Sequence, residues 1–239
     1  MLIDSLDVDQ GKVDLDRWPY TVPAVRQLTE EGLEFRRPIT VLVGANGSGK
    51  STVLEAIAER YGLDASGGHG GRARANVWGK SLLGDAMRLY RTREGKGFRG
   101  AGAKGFFLRA ETAHEVLAWA TGREIPGYGD SPSWEVSHGE SYLQAITGRF
   151  SGAGLYLLDE AEGPLSFEAT LQLLFRLVDL AAEGAQVIYS THSPLVAALP
   201  GAQVLELGAH GIRDAAWEDL EMVGLWRRFL AAPGRFFTE

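Results

Sequence analysis

The sequence predicts an α/β domain in which parallel strands are joined by helical crossovers. Three observations point there. Short apolar runs, Ile39-Thr40-Val41-Leu42-Val43, Leu155–Leu158 and Val187–Ser190, alternate with segments of helical period at Val53–Tyr61 and Phe167–Ala182. Each run ends in a polar or glycine-rich turn, as the carboxyl ends of buried parallel strands do. The 239 residues, 45% hydrophobic and 23% charged, suit one enlarged domain with a sizeable core and exclude a wholly disordered chain.

The acidic lead-in to about Asp16 opens with a short strand, and Pro23 to Glu31 reads as a helix stopped by Gly32. Strand Ile39–Val43 runs into Gly44-Ala45-Asn46-Gly47-Ser48-Gly49-Lys50-Ser51-Thr52, and the helix over Val53–Tyr61 is ended by Gly62. Short elements are expected at Val77–Leu83 and Asp85–Tyr90, a strand at Gly105–Arg109 and helices at Glu111–Ala120 and Glu140–Thr147. Pro126, Gly127, Gly129 and Pro132 make 122–137 a loop. After the strands at 155–158 and 187–190, Val204–Leu207 and Gly211–Arg213 suggest a hairpin, and Trp217–Ala232 a closing amphipathic helix.

Composition excludes several function classes. With no cysteine, there can be no disulfide framework, thiolate zinc site or cysteine nucleophile, a pattern that fits a cytoplasmic protein. The N-terminus is acidic and lacks the basic start and apolar core of a secretory leader, and no apolar stretch approaches the ~18–20 residues of a membrane span. Net charge is −7, but residues 67–104 hold nine Lys and Arg against Asp85 and Glu94, so this segment is +7 and the remainder −14. Glycine is abundant, 31 residues, and many of them fall in the same basic segment.

Gly44 to Ser51 fits the pattern G-x-x-x-x-G-K-[ST]. Glycines let a backbone wrap so closely that its N–H groups face phosphate oxygens. Lys50 adds a positive point charge at the β and γ positions, Ser51 offers a hydroxyl to magnesium, and the following helix presents its positive end. Asp159 and Glu160 end a buried strand, where open α/β sheets bind ligands. There Asp159 can hold magnesium and Glu160 can orient or deprotonate an attacking water. Thr191-His192-Ser193 ends the next strand, within reach of a γ-phosphate. Ser137-His138-Gly139-Glu140-Ser141 precedes a helix; it suits an anion, and equally a plain N-cap with Glu140 in the first turn.

Phosphate loop, Ser-x-Gly-Glu, Asp-Glu and then His, with 22 residues from Ser137 to Asp159 and 33 from Asp159 to His192, is an ordered set. In it the chain resembles the ABC-type ATPase superfamily from about Thr40 to Leu207, and within it the compact soluble AAA/ABC-type ATPases related to SMC and RecF-like heads. The resemblance implies a P-loop NTPase fold with an ABC-type head: a mainly parallel central sheet flanked by helices, plus a small antiparallel β-subdomain. Residues 1–239 would form one ATP-binding domain, with 1–38 a lead-in and 66–105 a basic glycine-rich insertion. It implies ATP and Mg2+, gripped by Lys50 and Ser51, with Asp159 the magnesium-side carboxylate, Glu160 the catalytic base and His192 a γ-phosphate sensor. Ser137, Gly139 and Glu140 would form a signature acting in trans, so that two copies sandwich ATP as a homodimer.

The match has three departures. The signature reads Ser-His-Gly-Glu, with His138 in place of a glycine and Glu140 in place of glutamine. No glutamine occurs between Ser51 and Val136, which leaves Glu111 as the stand-in for the family's glutamine loop. Ser166 stands where many relatives carry Asp. Trp18, Tyr20 and Phe35 are the upstream aromatics available to stack on adenine. For 67–104 three readings stay open: a solvated loop, a source of phosphate or partner contacts, or a nucleic-acid surface. Functionally, the main expectation is Mg-dependent ATP hydrolysis by a homodimer. The alternatives are an ATP-gated nucleic-acid-associated switch in repair or defence, or the energising subunit of a separate membrane transporter; the absent glutamine argues against the last.

Overall fold

The computed structural model describes residues 1–65, 67–69, 81–98, 103–109, 143, 147–148 and 150–237. The elements expected over 111–120 and 122–137, most of the helix at 140–147, Glu111 and the Ser137-Gly139-Glu140 motif lie outside the described residues.

Seven described strands form the main sheet in the order β10-β9-β3-β8-β7-β6-β4. They are β3 (Ile39–Gly44), β4 (Gly68–His69), β6 (Gly105–Arg109), β7 (Leu155–Asp159), β8 (Gln186–Thr191), β9 (Gln203–Gly208) and β10 (Gly211–Asp214). β9, β3, β8, β7 and β6 pair in parallel, whereas β10 and β4 add antiparallel edges. Parallel strands are covered on both faces, which explains their unbroken apolar runs. The two-residue period divides each run between two cores. Leu42, Leu155, Leu157, Ile188 and Leu205 join one side with α1 (Pro23–Glu31) and α2 (Lys50–Tyr61). Val41, Val43, Tyr156, Leu158, Val187 and Tyr189 join the other with α4 (Phe167–Ala182) and α5 (Pro194–Ala197). The same period carries Asp159, Ser190 and His192 onto the α2 face.

A second sheet, β2-β1-β5, is antiparallel throughout. Its centre is β1 (Ile3–Val8), flanked by β2 (Leu33–Glu34) and β5 (Met87–Arg91). The small antiparallel subdomain therefore combines the lead-in with part of the basic segment, which β5 ties into the fold. Buried Gln186 links the two sheets: its Oε1 accepts from Leu2 N (2.9 Å) and Ile3 N (2.8 Å), and its Nε2 donates to Ile3 O (2.9 Å).

Three boundaries differ from the sequence expectation. α2 starts at Lys50, inside the glycine loop, because Gly49 takes a left-handed conformation (φ 98°) and turns the chain into the helix. Between the two short elements expected at 77–90, α3 (Leu82–Ala86) gives way to β5; Ser81 Oγ starts the helix by accepting from Gly84 N at 3.0 Å. The closing helix is split: a 3-10 turn at Trp217–Asp219 precedes α6 (Glu221–Ala231). Leu220, 1% exposed and extended, plugs the core at the break, and Glu206 caps the new start by accepting from Glu221 N at 2.9 Å.

Candidate nucleotide site

The loop from Gly44 to Gly49 joins β3 to α2 at the carboxyl edge of the parallel strands. Gly44 has a packing reason beside its motif role: a Cβ there would lie 2.3 Å from the Leu207 carbonyl oxygen of neighbouring β9. Lys50 is 4% exposed, and its Nζ turns back to donate to Gly44 O (2.9 Å) and Ala45 O (3.1 Å). It also lies 3.1 Å from His192 Nε2. Burial lowers the Lys50 pKa, and the carboxylates of Glu160 and then Asp159 oppose that shift. The ammonium is thus desolvated but still paired, as a buried cation must be.

Two contacts bring the distant motifs together. Ser51 Oγ donates to Asp159 Oδ1 at 3.1 Å, and His192 Nε2 sits 2.8 Å from Glu160 Oε1. Asp159 also accepts a short hydrogen bond from the Ser190 hydroxyl. Glu160 is the described non-glycine residue with positive φ, 51°, and its N–H bonds Ser190 O at 3.0 Å. A left-handed conformation stores strain and aims this carboxylate off the strand end toward His192. Among the described residues no group of three or more His, Asp or Glu is placed to hold a metal. Ser51 and Asp159 supply one hydroxyl and one carboxylate, the donor set that suits Mg2+ completed by phosphate and water rather than an all-protein cage.

The structure thus brings together Lys50, Ser51, Asp159, Glu160 and His192. Tyr20 (1% exposed) and Phe35 (2%) are core residues and cannot stack on adenine, whereas Trp18 is exposed. Ser166 caps α4 by accepting from Ala169 N at 3.2 Å, a task that Asp performs equally well.

Sequence reading missed three residues around the site. Ser190 could have been found from parity with His192 at the polar end of an apolar strand. Arg109 ends β6 beside Asp159 (4.0 Å) and reaches back to Glu55 on α2 at 2.7 Å, a link with no local signal. Glu162 accepts from Tyr189 on β8. Away from this crevice, a cavity of about 310 Å³ at the β9–β10 edge is lined by Gln27, Glu31, Glu34, Arg36 and Asp214 among others. Several of its polar groups pair within the protein: Gln27 with Glu31 and Ile212 N, Arg36 with Asp214.

Two family models match the chain. One, "AAA domain", spans residues 23–88. The other, "AAA domain, putative AbiEii toxin, Type IV TA system", spans 120–198. No curated protein matches significantly. Similar solved structures include "Structure of ATP binding subunit of ABC transporter", at 18% identity and TM-score 0.49, covering 96% of this chain and 93% of that one. Another is "An inward-facing conformation of a putative metal-chelate type ABC transporter", at 16% identity and TM-score 0.42, covering 80% and 76%. The chain has a mixed α/β fold with a central sheet flanked by helices, and over residues 23–88 and 120–198 it is similar to AAA domains. No helix of the described residues is long and apolar enough to cross a membrane.

Proposed function

We propose that this chain is an ATP-gated switch: it binds ATP with magnesium in the crevice above β7 and β8, hydrolyses it, and changes its association as it does so. The observation that carries the reading is the convergence of Ser51 on Asp159, 108 residues away, and of Lys50 on His192, 142 residues away, at one edge of the sheet. On this reading residues 1–239 act as one domain. The backbone from Gly44 to Thr52 cradles the phosphates, and Lys50 leaves its loop carbonyls to bind the β and γ oxygens. Ser51 and Asp159 would hold Mg2+, which supplies charge neutralisation at the phosphate oxygens. Glu160 orients and deprotonates the attacking water, and His192 hydrogen-bonds the γ-phosphate. Ser137, Gly139 and Glu140 of a second copy close the site, making ATP the bond between two subunits.

A switch in defence or repair gains support from the model over 120–198, whose description names a toxin of a type IV toxin–antitoxin system. In the present state Lys50 is held by its own loop and His192 by Glu160, a closed arrangement that a triphosphate would have to open. The test is ATP turnover and oligomeric state of Glu160→Gln. The variant should bind ATP, lose turnover by about 100-fold or more, and accumulate as a dimer. Undiminished hydrolysis by Glu160→Gln would sink the mechanism. Recovery of the chain with a membrane-spanning partner would assign it to the energising-subunit class instead.

A further inference from the structure

The turn that carries Glu160 carries a second carboxylate, and the strand beside it is built to receive that group. Gly163 N donates to Glu160 O at 3.0 Å and Leu165 N to Glu162 O at 2.8 Å, so residues 160–165 form a tight, hydrogen-bonded hook. Ala161, fully buried, pins its middle. From the hook, Glu162 reaches β8 and accepts from the Tyr189 hydroxyl at 2.8 Å and, through its other oxygen, from the Thr191 hydroxyl. Thr191 Oγ1 in turn accepts from Ser193 N at 2.8 Å. His192 lies between Thr191 and Ser193, so this chain of bonds holds the backbone on both sides of it.

The pleat of β8 gives the arrangement its logic. Ser190 and His192 face α2, and Ser190 binds Asp159 there. Tyr189 and Thr191 face the opposite way, and Glu162 binds them there. The end of β8 is therefore fastened to the Asp159–Leu165 segment on both of its faces. We propose that Glu162 is a positioning residue for hydrolysis: by clamping the hook to the back of β8 it sets the 2.8 Å spacing of Glu160 and His192. Tyr189 and Thr191 are both fully buried, so their hydroxyls must be satisfied within the protein. The inference rests on the proposed roles of Glu160 and His192, and it assigns no contact between Glu162 and the nucleotide.

The test compares Glu162→Gln and Tyr189→Phe with the wild-type chain by two readouts. The first is the His192 ring resonance at fixed pH, assigned against His192→Gln, in the nucleotide-free protein. It should move in both variants. The second is turnover against affinity for a non-hydrolysable ATP analogue: turnover should fall about tenfold while affinity stays within about twofold, as expected for a misplaced rather than a missing group. The double variant should lose no more than the worse single one. An unmoved His192 resonance overturns the inference even if the wild type proves not to hydrolyse ATP, which would overturn the proposed function instead. Equal losses of turnover and affinity, or additive losses in the double variant, also overturn it.

Discussion

The crevice at the strand ends and the basic segment both concentrate charge, yet they use it in opposite ways. At the crevice, Lys50, Asp159, Glu160 and His192 come from three separate strand ends and meet side chain to side chain at one edge. In the described part of the basic segment, three of the cations, Arg88, Arg91 and Lys104, are spent on holding the segment down. Arg88 pairs with Asp9 at 2.7 Å. Arg91 donates to Phe98 O (2.6 Å) and Tyr61 O (3.2 Å) and lies 4.4 Å over the Tyr61 ring. Lys104 lies 5.8 Å from the Phe98 ring centroid. A net +7 in sequence is thus not +7 available to a ligand. Charges from three strand ends gather at the crevice, whereas Arg88, Arg91 and Lys104 are each tied off singly within or beside the segment.

The sharpest way to break this contrast is to remove one cation from each region. Lys50→Ala should weaken ATP binding by about 100-fold or more, since it deletes the point charge facing the β and γ oxygens; equilibrium binding of a fluorescent ATP analogue checks it. The contrast fails if that affinity holds. Arg91→Ala should do the reverse. It leaves two carbonyls without a charged donor and should cost about 2 kcal/mol of stability, seen as a lower urea midpoint, with ATP affinity within about threefold. Arg88→Gln removes a surface pair and should cost under about 1 kcal/mol. If Arg88→Gln and Arg91→Ala left stability intact and abolished binding to DNA at low salt, the segment would be a nucleic-acid surface after all.

The same contrast explains what could be read in advance. The parallel strands, α1 and α4 were legible because burial on both faces forces apolar runs, and a helix stripe repeats every 3.6 residues. Lys50, Ser51, Asp159, Glu160 and His192 were legible because each sits where a strand stops, and the period of the strand sets its face. The long-range fastenings had no such signal. Nothing local in Leu2-Ile3 announces Gln186, and nothing in Arg91 announces Tyr61 O. Nothing in the sequence after Asp159-Glu160 marks out Glu162, and only its hydroxyl partners on β8 give it a task. The split of the closing helix was hidden for a similar reason. The amphipathic period continues through Leu220, and tertiary burial of that one side chain overrides it.

The last effect falls at the seam between the two regions and is invisible at neutral pH. Tyr61 is the last residue of α2, the helix that begins at Lys50, and its hydroxyl donates to Lys104 O at 3.3 Å. Burial pushes its pKa up to about 12, against the opposing pull of the Arg91 guanidinium. The folded chain therefore keeps the proton that an unfolded tyrosine releases near its usual value of 10. The stabilising difference is whole below about pH 10 and is lost as pH rises toward 12, because the unfolded state there binds fewer protons than the folded one. Tyr61→Phe removes the ionisation, so the fall in urea stability between pH 10 and pH 12 should shrink by up to about 2 kcal/mol, while the difference at pH 7 stays within a few tenths. Arg91→Ala should steepen the same fall, since it deletes the cation that favours the phenolate. An unchanged alkaline slope in Tyr61→Phe would mean that the ring is not buried in solution, and an unchanged or shallower one in Arg91→Ala that the guanidinium is not held over it and that the basic segment is free to meet a partner.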